Sequence, residues 1–183
     1  MKRTLILLWL LLSAVALAEE VEGVQLPDSL TFGDQTLILN GAGVRTKWMF
    51  SIYVGGLYLE QKSANATQIV DADEPMAIRM NMVYSRLTGD QMISAIMDGL
   101  DLATNGNTTQ FDDELDLLTT SLERVGKNDV VDIFYLPGKG LGINLNGTFK
   151  GEVSNFEFKK AVFAIWLGNK PVHAKLKSQM LGR

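Results

Sequence analysis

The sequence lacks cysteine altogether and contains a single histidine, His173. Without cysteine there is no disulfide, no thiol nucleophile and no zinc site of the cysteine type. One histidine in a polar C-terminal segment cannot complete a Ser-His-Asp triad or a histidine-based metal site. We therefore interpret His173 as a solvated surface residue, and the sequence indicates no cofactor and no metal.

Clusters of basic residues are also missing, since 17 Lys and Arg residues are spread along the chain against 21 Asp and Glu. Proteins that bind nucleic acid normally carry a basic patch, so we expect no nucleic-acid partner. The carboxylates that do cluster, at residues 112–116, lie where a helix is predicted to begin. Negative charge in the first turn of a helix stabilises the helix dipole, so this cluster is interpreted as structural.

The first 18 residues have the features of a secretory signal peptide. Lys2 and Arg3 precede an apolar run, and Ala16-Leu17-Ala18 fits the small-residue pattern of a cleavage site. A membrane anchor is the alternative, but the apolar run is shorter than the ~20 residues that a membrane span needs. We therefore expect an exported protein with no stable membrane span after cleavage, and a single domain at residues 19–183.

The pattern of residues 19–183 predicts antiparallel strands combined with helices. Strands are indicated at residues 30–32, 36–39, 44–60, 76–83, 130–136, 141–145 and 148–152. Helices are indicated at residues 88–100, 111–122, 154–168 and 171 onward, with a short helix or loop at 64–72. Because strands come in antiparallel runs and helices in blocks, the predicted class is α+β.

The segment at residues 44–60 predicts one long strand with apolar side chains on both faces, as in a central strand of a covered sheet. The preceding Asn40-Gly41-Ala42-Gly43 predicts a turn. Arg45 places a cation near the start of this apolar strand. Two interpretations are open: an ion pair with a nearby carboxylate, or a ligand for an anionic head group.

Methionines recur on neighbouring predicted elements, and methionine adapts to irregular apolar surroundings. They are Met76, Met80, Met82, Met92 and Met97. This layer indicates either a soft core or an adaptable apolar surface for a ligand. An apolar layer beside an arginine is what a fatty-acid site requires.

Two stretches, LNGAGVRTKWMFSIYVGGLYLE and FKKAVFAIWLGNKPVHAKLKSQMLG, resemble the chalcone isomerase-like family in its bacterial exported branch. The resemblance covers residues 23–182. It implies an open-faced β-sandwich of chalcone isomerase type, with a large antiparallel sheet and helices layered on one face. It also implies a periplasmic location.

The same resemblance bears on activity. The plant enzymes that form flavanones have an arginine that matches Arg45, but their other catalytic positions match Tyr53, Met92, Gly99 and Ile165. Methionine, glycine and isoleucine side chains donate no hydrogen bonds. We therefore expect no flavanone-forming activity.

Fatty-acid-binding members of the family hold a carboxylate with an arginine and a tyrosine, which match Arg45 and Tyr53. The resemblance thus implies a non-catalytic binder of a fatty acid or a similar amphipathic carboxylate. An isomerase that acts on another substrate through Arg45, and a scaffold for an envelope partner, are the alternatives. One difficulty is distance, since eight residues of straight strand span roughly 26 Å. A turn near Lys47 is therefore required if Arg45 and Tyr53 act together.

Overall fold

The computed structural model describes residues 19–183, so the predicted signal peptide lies outside the described residues. The strands are β1 Glu19–Val21, β2 Val24–Leu26, β3 Ser29–Phe32, β4 Gln35–Lys47, β5 Phe50–Leu59, β6 Met76–Met82, β7 Val130–Leu136, β8 Gly140–Leu145 and β9 Thr148–Val153. The helices are α1 Ala66–Asp71, α2 Gly89–Thr104, α3 Asp112–Leu122, α4 Phe156–Leu167 and α5 Ala174–Met180. None of these helices is long and apolar enough to cross a membrane.

Seven strands, β3 to β9, form one antiparallel sheet in which each strand pairs with its neighbours in the sequence. The helices pack on one face of this sheet, and α4 lies at the centre of the main core, where Phe158, Phe163 and Trp166 are buried against β5 to β8. The other face carries a smaller core to which β2 and β3 contribute. The predicted α+β class and open-faced sandwich are therefore confirmed.

The predicted single strand at residues 44–60 is wrong. The chain reverses at Trp48 and Met49, and β4 pairs with β5 as an antiparallel hairpin with Lys47 opposite Phe50. The apolar pattern continues through the reversal because both arms of the hairpin are covered and because Trp48 and Met49 are themselves apolar. Neither the usual turn residues nor a break in hydrophobicity marks the turn.

The predicted turn at Asn40-Gly41-Ala42-Gly43 is also wrong, since these residues lie within β4. The glycines serve close packing: a Cβ atom at Gly41 would lie 2.3 Å from the Gln179 carbonyl oxygen, and one at Gly43 would lie 2.2 Å from Gln179 Oε1. Asn40 is buried and donates to the carbonyls of Ser63 and Met180. α5 therefore packs directly on this stretch of β4.

Other local predictions are confirmed. Thr88 and Gln91 form a capping box at the start of α2, and Asn155 caps α4. Asn146 and Gly147 form the turn between β8 and β9, and both have positive φ angles, 52° and 75°. These signals are reliable because they are local: the caps join residues three positions apart, and the turn depends on the backbone preferences of two adjacent residues.

Candidate ligand cavity

A cavity of about 450 Å³ opens where the end of the β4–β5 hairpin meets α2 and α4. Its volume falls within the range of about 300–1,000 Å³ that is typical of small-molecule sites. The lining is mainly apolar and includes Ile52, Leu87, Met92, Ile96, Ile165 and Val172. Asp90, Gln91, Ser94 and Asp98, which are exposed on α2, form a polar rim.

Arg45 and Tyr53 both line this cavity and lie directly opposite each other in the β4–β5 register. The turn at Trp48 and Met49 brings them together, so the required turn near Lys47 is present. Facing residues of an antiparallel pair project from the same side of the sheet with Cβ atoms about 4.5–5.5 Å apart. A guanidinium and a phenol therefore share one wall of the cavity.

Tyr53 is buried, and its hydroxyl oxygen accepts a hydrogen bond from Trp166 Nε1 at 2.7 Å. Burial raises the pKa of Tyr53 to about 12, and the Trp166 hydrogen bond and the Arg45 charge only partly oppose this rise. The phenol is therefore neutral at physiological pH and keeps its proton. Among the described residues no protein acceptor takes that proton, so the hydroxyl has one hydrogen bond left to donate.

Arg45 is half-buried, and its Nη1 atom donates to the carbonyl of Thr46. No carboxylate of the described residues lies within 4.0 Å of its guanidinium, whereas Arg79 forms a salt bridge with Asp132 at 2.6 Å. The ion-pair interpretation of Arg45 is therefore wrong for the described residues. The guanidinium retains donors that are available to an anionic group.

The interpretation of His173 as a solvated surface residue is also wrong. His173 is half-buried at the N-terminus of α5, where its Nδ1 accepts from the Leu176 amide at 3.2 Å. Its Nε2 lies 3.1 Å from Thr46 Oγ1. Burial lowers the pKa of His173 below its ordinary value, and the charges of Arg45 and Lys175 lower it further. The imidazole therefore links α5 to β4 beside the cavity.

Met92, Gly99 and Ile165, which match catalytic positions of the plant enzymes but donate no hydrogen bonds, lie together where α2 meets α4. Met92 and Ile165 line the cavity with apolar atoms. Gly99 leaves no space for a side chain, because a Cβ atom there would lie 2.6 Å from Ile165 Cγ2. This wall of the cavity offers no polar side chain at these positions.

Some of the methionines belong to the core and one belongs to the surface of the cavity. Met76, Met80 and Met82 are buried in the main core and do not line the cavity, whereas Met92 does. Most of the layer is therefore core. The apolar lining comes instead from isoleucine, leucine, valine and aromatic side chains.

Trp166 was missed by the sequence analysis, although it supplies the only side-chain donor to Tyr53 among the described residues. A buried indole N–H needs a hydrogen-bond partner. In the apolar run of α4, this need is the one sequence feature that indicates a polar contact of Trp166. The partner is 113 residues away in the chain, so the sequence does not identify it. The described residues include no cluster of three or more His, Cys, Asp or Glu side chains that could hold a metal ion.

Comparison with known proteins identifies relatives of this fold. A family model described as "Chalcone isomerase-like" matches residues 18–182. The crystal structure of a fatty-acid binding protein of Arabidopsis thaliana superposes with a TM-score of 0.69 at 18% sequence identity, over 90% of this chain and 94% of that chain. Curated proteins give no match. The structural similarity, at this identity, demonstrates the shared fold.

Proposed function

We propose a function for a chain that belongs to the chalcone isomerase-like family: it is a non-catalytic binder of a fatty acid or a similar amphipathic carboxylate. The observation that carries the proposal is the placement of Arg45 and Tyr53 side by side on the wall of an apolar cavity. A ligand of this class has an anionic head and an apolar tail, and the cavity offers a partner for each.

The head group would bind to Arg45 and Tyr53. A guanidinium presents a planar fork of donors that matches the two oxygens of a carboxylate. The neutral Tyr53 hydroxyl has a hydrogen bond to donate and is held in place by Trp166. Both groups lie in a partly buried setting, where a charge-assisted hydrogen bond is stronger than in water.

The apolar tail would lie along Ile52, Met92, Ile96 and Ile165, which line the cavity between the sheet and the helices. Apolar area removed from water contributes roughly 25 cal/mol per Å². The fatty-acid binding described for the Arabidopsis thaliana protein, which shares the fold, supports this class of ligand. An isomerase that uses Arg45 finds less support, because Met92 and Ile165 present no hydrogen-bonding group.

A titration with a fluorescent fatty acid tests the proposal. We expect saturable binding to the wild-type protein and an affinity roughly tenfold to a hundredfold lower for Arg45→Ala, since a hydrogen bond to a charged group contributes about 1.5–3 kcal/mol. Arg124→Ala is the matched control, because the Arg124 side chain is 88% exposed and lies outside the cavity. No saturable binding by the wild type would disprove the proposal.

A fatty alcohol of the same chain length separates the head group from the tail. It fills the apolar part of the cavity without a carboxylate, so Arg45→Ala should change its affinity little. Equal losses for the acid and the alcohol would mean that Arg45→Ala disturbs the cavity as a whole. Equal affinities of wild type and Arg45→Ala for the acid would remove Arg45 from the site.

We also propose that the protein is exported to the periplasm after cleavage between Ala18 and Glu19. The pattern Ala16-Leu17-Ala18 supports this position. Intact mass measurement of the protein isolated from its native source should give a chain that begins at Glu19. A chain that retains Met1 would exclude cleavage.

A further inference from the structure

The turn of the β4–β5 hairpin presents apolar side chains to solvent at its tip. Trp48 is 90% exposed, Met49 is 86% exposed and Phe50 is 46% exposed. Apolar side chains that stay exposed do not gain the favourable free energy that they would gain on leaving water. We call Trp48, Met49 and Phe50 the hairpin tip.

Backbone geometry does not explain a tryptophan at the tip. Trp48 has a φ angle of 55°, a left-handed conformation that favours glycine and asparagine and disfavours bulky side chains. Glycine or asparagine at this position would form the turn with less strain and no exposed indole. The turn therefore does not require the indole side chain, and the side chain does not enter the core, which points to a role outside the isolated molecule.

The hairpin tip is continuous with the mouth of the cavity. Trp48 and Phe50 are among the residues that line it, and the centre of the Phe50 ring lies 5.4 Å from that of Tyr84, which also lines it. A surface that covers the tip would therefore also cover the opening through which an apolar ligand enters or leaves.

Cations lie close to the tip. The Lys47 ammonium is 5.9 Å from the centre of the Trp48 ring, and Lys47 is exposed. Arg86 is exposed between Tyr84 and Leu87, which both line the cavity. Tryptophan beside lysine is the combination found at membrane interfaces, where the ring enters the headgroup layer and the cation meets phosphate.

We propose that the hairpin tip docks the protein on a phospholipid bilayer, with Trp48 and Met49 in the interfacial layer and Lys47 against lipid phosphates. A protein partner fits less well, because the aromatic side chains of the tip can each bury only about 150–250 Å², whereas a stable protein interface needs roughly 800 Å² from each partner. The carboxylates of Asp90 and Asp98 lie on the α2 side of the mouth, so docking relies on the hairpin side.

Docking of this kind would let a fatty acid pass between the bilayer and the cavity without crossing water. This consequence rests on the proposed function, whereas docking itself does not. The two are therefore tested separately, first with ligand-free protein and then with a fluorescent fatty acid.

Tryptophan fluorescence reports on docking directly. Residues 19–183 contain two tryptophans, the exposed Trp48 and the buried Trp166. Phosphatidylcholine vesicles, with and without phosphatidylglycerol, are added to ligand-free protein in which the N-terminal segment has been removed. We expect a blue shift of the emission and quenching by brominated phosphatidylcholine, and neither effect in Trp48→Phe, whose remaining tryptophan is buried.

Flotation of vesicles then compares two double variants. In Trp48→Gly/Met49→Ser we expect the partition coefficient to fall roughly tenfold or more, because most of the apolar area of the tip is removed. Glycine suits the positive φ angle at position 48, so this variant should retain its melting temperature. The control is Leu102→Ser/Phe149→Ser, which removes side chains that are 45% and 55% exposed outside the cavity, and it should float like the wild type.

Transfer of the fluorescent fatty acid gives the last comparison. The rate of transfer from protein to vesicles should increase with vesicle concentration for the wild type and become independent of it for Trp48→Gly/Met49→Ser. Because Trp48 lines the mouth of the cavity, the affinity for the fatty acid is measured for both proteins without vesicles, and the transfer rates are compared with both proteins saturated with ligand. The docking proposal would be overturned if the wild type did not float with vesicles, or if the tip variant floated equally well. It would also be overturned if the wild type did not bind vesicles but formed a dimer that was absent in the tip variant.

Discussion

Arg45 and Tyr53 face each other across two adjacent antiparallel strands, although eight positions separate them in the chain. The turn at Trp48 and Met49 produces this pairing, and Trp166 on α4 fixes the Tyr53 hydroxyl from the other side. The result is a small polar group on an otherwise apolar wall. Its chemistry suits a single anionic head group.

Conservative substitutions of Arg45 and Tyr53 should separate the contribution of charge to fatty-acid affinity from that of hydrogen-bond geometry. Arg45→Lys should recover only part of the affinity lost in Arg45→Ala, because lysine keeps the charge but lacks the planar fork. Tyr53→Phe should lower the affinity by about 1 kcal/mol, the typical contribution of one neutral donor. Fluorescent fatty-acid titration measures both, and full recovery by lysine would contradict bidentate binding.

The hydrogen bond between Trp166 and Tyr53 should be measurable as a coupling energy. Trp166→Phe removes the indole N–H and some packing volume, and Tyr53→Phe removes the hydroxyl. In a double-mutant cycle the two changes should couple by about 1 kcal/mol in the free energy of unfolding. Trp48→Phe, at an exposed position, serves as the control and should not couple with Tyr53→Phe. An additive result for Trp166 would show that the bond contributes no net stability.

Conversion of a chalcone to a flavanone by the purified protein should not exceed the uncatalysed background. Met92, Gly99 and Ile165 supply no hydrogen-bonding side chain at the matched positions. General acid–base catalysis typically contributes ~10²–10⁴ in rate, so Arg45 alone is insufficient. Absorbance of the chalcone, followed against a no-protein blank, measures this. Stereoselective turnover would contradict it.

Stability should fall on mild acidification because of His173. Its pKa is lowered in the folded protein from 6.5, so the unfolded chain binds more protons in the interval below 6.5. The contribution of His173 is therefore fully present above pH 6.5 and is lost as the pH falls through the folded-state pKa. Protonation of Nδ1 also removes the acceptor for the Leu176 amide.

His173→Asn is the matched variant for this prediction, because asparagine is a strong N-cap residue that does not titrate. Urea unfolding at about pH 7.5 and about pH 5 should show a smaller pH-dependent loss of stability in the variant than in the wild type. The same dependence in both proteins would assign the loss to other groups.

Local elements of this fold were predictable from the sequence, because their determinants are close in the chain. The α2 capping box and the Asn155 cap depend on side chains that bond to backbone groups within three positions. The Asn146-Gly147 turn depends on two adjacent residues that readily adopt positive φ angles. Periodicity likewise predicted most strands and the α+β class. Residue type and family resemblance identify Arg45 and Tyr53 as candidates, since neither has a local signal.

Tertiary structure alone decided how these residues meet. No local pattern indicates the hairpin turn, because Trp48 and Met49 are not typical turn residues. The glycines at 41 and 43 suggest a turn, but they allow the close approach of α5. Trp166 reaches Tyr53 only because α4 packs on β5, a contact between residues 113 positions apart. Such contacts depend on how whole elements pack, and packing energy is not encoded in any short stretch of sequence.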